Sequence, residues 1–109
     1  LEYAAEHLGV PVILVLGHTK CGVITAAVGG AKVAGALGGL LDRLAPVVKA
    51  VENLPEKEKI AAAVHLTVYF IIAELRAKSA GLAQAEIEWR LRLVGAVYHL
   101  ESGKVEFKE

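Results

Sequence analysis

The sequence predicts an α/β domain with a small, mostly parallel sheet, flanking helices and a C-terminal hairpin. Three observations point there. Val12-Ile13-Leu14-Val15-Leu16 is continuously apolar, the pattern of a strand covered on both faces. Long stretches after it carry apolar residues at helical spacing. Leu91 to Leu100 and Val105 to Phe107 then flank the turn Glu101-Ser102-Gly103-Lys104, where glycine supplies a cheap positive φ.

The elements follow in order. Leu1, Ala4, Ala5 and Leu8 share one helical face, and Gly9 and Pro11 end that helix. The strand at 12–16 leads into a polar loop, Gly17 to Gly22, at its carboxyl end, where open α/β sheets hold ligands. A helix over Val23 to Val28 is broken by Gly29-Gly30, and the Gly- and Ala-rich stretch 31–39 reads as loop or weak helix. Leu40, Leu41, Leu44, Val47, Val48 and Val51 have helical spacing, with Pro46 marking a kink or a late start. Glu56 to about Lys78 is a long helix with a core stripe of Val64, Val68, Ile71, Ile72 and Leu75. Leu66, Tyr69 and Phe70 widen its apolar surface, which suits contact with more than one neighbour, a partner subunit included. Gly81 is expected to break it, before a short helix over Leu82 to Arg90. The 12–16 strand reads as interior, yet only the hairpin strands are available to flank it. One sheet edge is therefore expected to be open.

The 109 residues suffice for a single domain, 1–109. Apolar residues make up 55% and twelve basic side chains balance twelve acidic ones, which argues against disorder and gives no basis for a nucleic-acid or charged-membrane partner. No uninterrupted apolar run reaches the ~18 residues of a membrane span, and no secretory leader is visible. A single cysteine forbids an internal disulfide and suits a cytoplasmic setting. The chain lacks methionine and opens on an uncapped helical pattern, so an N-terminally incomplete domain is expected.

Chemistry concentrates in Gly17-His18-Thr19-Lys20-Cys21-Gly22. Imidazole and thiolate are preferred zinc ligands, and a two-residue spacing lets both face one ion. The glycines let the backbone bend, and the helix starting near Val23 favours thiolate at Cys21. By spacing alone, a buried cysteine beside a part-exposed histidine is the commoner reading, since zinc takes about four ligands. His7, His65 and His99 read as surface or hydrogen-bonded histidines, and Trp89 and Tyr98 as packing residues with a polar edge. The 29–39 region lacks the Lys-Ser/Thr of a phosphate loop, and no Ser-His-Asp arrangement is present.

Two segments carry a resemblance. Leu1 to Pro11 with Ile13 to Gly22, and Leu93-Val94-Gly95-Ala96-Val97-Tyr98-His99-Leu100-Glu101-Ser102-Gly103-Lys104-Val105, resemble the middle and the closing hairpin of β-class carbonic anhydrases. The resemblance implies zinc held by two cysteines and a histidine, with His18 and Cys21 matching the histidine and the second cysteine. It places Gly22 where the family's loop approaches the bound anion. It implies reversible hydration of carbon dioxide to bicarbonate, and a homo-oligomer. The family's first zinc cysteine lies in a Cys-x-Asp-x-Arg motif that this sequence does not contain. Asp42-Arg43 does not match it, and Thr67 stands where the family's long helix would carry Asn. The chain by itself is therefore expected to be inactive. The alternative, from a different class, is a non-catalytic self-assembling module on the same scaffold.

Overall fold

The structure, a computed structural model, describes residues 1–108. Its sheet has three strands in the order β1-β2-β3, with β1 at Val12–His18, β2 at Arg92–Tyr98 and β3 at Val105–Lys108. β1 and β2 are parallel, in register from Val12↔Arg92 to His18↔Tyr98, and β2 and β3 form the antiparallel hairpin. Among the described residues β1 is thus an edge strand, not the interior strand that its apolar run suggests. Only alternate residues Ile13, Val15 and Gly17 pack inward, while Val12, Leu14 and Leu16 are about half exposed. The expected open edge is present, and it is β1 itself.

Helix α1 covers Glu2–Glu6, shorter than the pattern from Leu1 to Leu8; only Ala5 is buried, and Gly9 leaves the helix at φ +68°. After β1 come α2 at Gly22–Val28, α3 at Gly35–Arg43 and α4 at Ala45–Val51, with Pro46 in the first turn of α4 as a late start requires. Ile24, Ala27, Leu41, Val47 and Val51 from these three helices, with Leu44 at the junction of α3 and α4, pack into one core.

Helix α5, Glu56–Lys78, crosses the sheet and joins that core through Ala63, Val64, Val68 and Ile72. Glu56 and Glu58 in its first turn and Arg76 and Lys78 in its last complement its dipole. Of the expected stripe, Ile71 is 38% exposed, because Ala63 rather than Ile71 completes the inward face. Leu66 and Tyr69 are exposed, as the wide apolar circumference implied. By length and composition α5 would also pass as a membrane span, although charged residues interrupt its apolar run. Its inward face packs against β1, β2, α2, α4 and α6, while Leu66, Tyr69 and Ile71 stay exposed.

Gly81 does not end α5. Ser79 does, capping α6 (Ala80–Ile87) by accepting from the Leu82 N–H at 3.2 Å. Gly81 lies inside α6, beside the exposed and flexible side chain of Glu6, and does not break that helix. α1, α6, Ile13 and Leu91 form a second, smaller core. Trp89 corrects another expectation: it is 90% exposed at φ +61°, a post-helical turn residue rather than a packing one.

Candidate metal centre

The parallel pairing of β1 with β2 ends at His18, and the chain turns through Lys20 at φ +56° before α2 begins. His18 Nδ1 lies 2.9 Å from the Thr19 carbonyl oxygen. A carbonyl oxygen can only accept, so Nδ1 is the donor in this contact, and Nε2 is the ring nitrogen left for a metal. Cys21 takes the N-cap position of α2 in extended backbone, and its side chain makes no capping hydrogen bond. Its carbonyl instead accepts from the Thr25 N–H at 2.9 Å and the Thr25 hydroxyl at 2.8 Å, which anchors the start of the helix.

His18 and Cys21 line one cleft of about 220 Å³. Its wall is almost wholly apolar: Val15, Val23, Ile24, Leu40, Val64 and Ile71 contribute, with Thr67 the one hydroxyl. That hydroxyl donates back to the Ala63 carbonyl at 2.7 Å, so it is satisfied within α5. A larger cleft of about 510 Å³ lies among α2, α3 and α4, but it holds neither donor. Among the described residues no cluster of three or more His, Cys, Asp or Glu could hold a metal. By donor chemistry the pair fits half of a tetrahedral zinc site.

The other singled-out residues fall elsewhere. Gly22 opens α2, exposed and next to Cys21, with open space where a Cβ would project. Arg43 pairs with Glu74 at 2.7 Å, tying α3 to α5. His7 is exposed, its ring 5.1 Å from that of Tyr3, and His99 pairs with Glu106 at 3.0 Å. His65 fits neither bland reading, since its Nδ1 is buried without a partner. Burial and then Lys108 hold its pKa below 6.5. Glu106 has its pKa lowered to about 2 by hydrogen bonds from Lys108 and then His99.

Residues that spacing did not reveal also converge on the loop. The Thr19 hydroxyl donates to Glu101 at 3.2 Å and accepts the Leu100 N–H at 3.0 Å. The Thr19 N–H donates to the Tyr98 carbonyl at 3.0 Å, and Lys20 pairs with Glu101 at 3.5 Å. The partners are about eighty positions apart in sequence, so no local periodicity links them.

Fold and loop together define an α/β protein that presents an imidazole–thiol pair at the carboxyl end of a parallel strand. Residues 1–105 match the carbonic anhydrase family. A carbonic anhydrase of Mycolicibacterium smegmatis is 32% identical over 99% of this chain and 54% of its own length. Carbonic anhydrase 2 of Mycobacterium tuberculosis is 31% identical, again over 54% of its length. Among solved structures, the β-carbonic anhydrase CafA of Aspergillus fumigatus superposes with a TM-score of 0.85 at 28% identity, covering 99% of this chain and 53% of that one. One of two tetrameric β-carbonic anhydrases of Sordaria macrospora gives 0.83 at 26% identity, over 97% of this chain and 56% of that one. The chain belongs to the carbonic anhydrase family, in its β class. It spans about half the length of the curated relatives it matches.

Proposed function

We propose that the protein to which these residues belong catalyses the zinc-dependent, reversible hydration of carbon dioxide to bicarbonate, with His18 Nε2 and Cys21 Sγ as two of the zinc ligands. The observation that carries this reading is the placement of both donors on one small apolar cleft where β1 ends and α2 begins. Zinc would supply a Lewis acid that makes water acidic near neutral pH. The chain's own residues do the rest. The Thr19 carbonyl orients the imidazole. The start of α2 places the thiol, and Gly22 leaves the backbone beside it open to an anion. The apolar wall suits a small neutral substrate and gives a charged product little reason to stay.

Two protein donors hold zinc weakly, so the 109 residues alone are expected to be inactive. The test pairs a zinc competition titration with carbon dioxide hydration followed by stopped flow. The unsubstituted chain should bind zinc with an affinity that Cys21→Ser and His18→Ala each lower about tenfold or more. Binding that neither substitution changes would sink the assignment. Appreciable hydration by these 109 residues would sink the claim that the pair is half a site.

A second reading, self-assembly on the same scaffold, rests on a different observation. Val12, Leu14 and Leu16 are exposed along a strand edge that is unpaired among the described residues, and Leu66 and Tyr69 are exposed on α5. Light scattering should show a homo-oligomer, and a monodisperse monomer at high concentration would count against it.

A further inference from the structure

The loop that carries His18 and Cys21 is not held by its own strand alone. Between the two donors, Thr19 and Lys20 turn toward the β2–β3 hairpin. The Thr19 hydroxyl is used twice there: it accepts the Leu100 N–H and donates to Glu101 Oε2. Glu101 uses its other oxygen, Oε1, for Lys20. The Thr19 N–H is taken by the Tyr98 carbonyl. The Thr19 carbonyl meets His18 Nδ1. One residue therefore connects the imidazole to the hairpin through both its backbone and its side chain.

We propose that Thr19, fastened by Glu101 and the Leu100 amide, is a positioning residue for the His18/Cys21 pair: the hairpin acts as a clamp that sets the geometry of the metal loop. This rests on the metal reading proposed above. The physical case is that the loop is short, partly exposed and flanked by Gly17 and Gly22, so its backbone is intrinsically permissive. Lys20 in addition sits at φ +56°, a conformation that a free loop would leave. The Thr19 carbonyl meets the ligand ring directly, a kind of partner whose loss typically costs 10–100-fold in metal affinity, and the hydroxyl bonds hold that carbonyl in place. The Lys20–Glu101 pair is exposed and contributes little by itself. Weight therefore falls on the Thr19 hydroxyl.

The experiment titrates the 109-residue chain and its Thr19→Val, Thr19→Ser and Glu101→Gln variants with cobalt(II), following the thiolate-to-cobalt charge-transfer band. Amide hydrogen exchange at Leu100 is read on the same samples without metal. Thr19→Val keeps the shape of the side chain and removes both hydroxyl bonds. It should speed Leu100 exchange and weaken cobalt binding by about tenfold, with the thermal midpoint little changed. Thr19→Ser should restore both readouts, and Glu101→Gln should lie between. Faster exchange at Leu100 with unchanged cobalt affinity would overturn the clamp while leaving the metal reading intact. Absence of a thiolate band in the unsubstituted chain would refute the metal reading itself, and the clamp with it.

Discussion

Gly95→Ala tests the packing that holds β2 under α5. A Cβ at Gly95 would lie 2.6 Å from Val68 Cγ1, 3.2 Å from Ile72 Cδ1 and 3.6 Å from Lys108 Cβ. Carbon atoms prefer separations of ~3.5–4.0 Å, so the first contact is short by about 1 Å. Val68 cannot turn aside readily: it is 1% exposed, and a β-branched side chain in a helix has essentially one χ1 well. The strand and the helix must therefore separate. Such overpacking costs about 1–3 kcal/mol, and each 1 kcal/mol lowers the thermal midpoint by roughly 4–8 °C in a domain near this size. Urea or thermal unfolding monitored by circular dichroism reads the change. Val68→Ala alone leaves a cavity and costs about 1–3 kcal/mol. Combined with Gly95→Ala it removes the obstructing methyls, so the double variant should be less destabilised than the two single costs added, by about 1 kcal/mol. A Gly95→Ala chain within about 0.5 kcal/mol of the parent, or an additive double variant, would show that Val68 does not obstruct a side chain at Gly95.

Three further outcomes follow from the same structure. Ser79→Ala removes the cap of α6 and should cost about 1 kcal/mol in urea unfolding, and no change would show that the cap is idle. Stability should fall as pH drops through 6.5, because His65 resists protonation when folded while the unfolded chain takes up the proton; His65→Gln should flatten that slope, and an unchanged slope would assign it elsewhere. Trp89→Gly should leave stability the same or slightly higher, since the indole is 90% exposed and the backbone is at φ +61°; a loss above about 1 kcal/mol would mean that the indole makes a stabilising contact.

Much of the architecture was legible because burial imposes periodicity. α5 was readable to its ends, and the hairpin from its turn glycine. Where the sequence misled, a particular neighbour was responsible. Gly81 looked like a helix stop, but Ser79 two residues earlier caps α6 and ends α5 instead. The apolar run at 12–16 is consistent with cover on both faces, yet among the described residues only one face is covered, so composition alone could not place β1 in the sheet. The site divides in the same way. His18 and Cys21 stand out because soft donors are rare and their spacing is local. Thr19, Glu101 and the apolar wall do not, because their roles come from tertiary contacts that no spacing encodes.

X-ray absorption at the zinc edge, measured on the zinc-loaded chain, shows whether His18 and Cys21 bind one zinc ion together. The spectrum should contain one sulfur at about 2.3 Å and nitrogen or oxygen at about 2.0–2.1 Å, with the sulfur shell lost in Cys21→Ser and imidazole scattering lost in His18→Ala. A first shell of nitrogen and oxygen alone in the unsubstituted chain would contradict that joint binding.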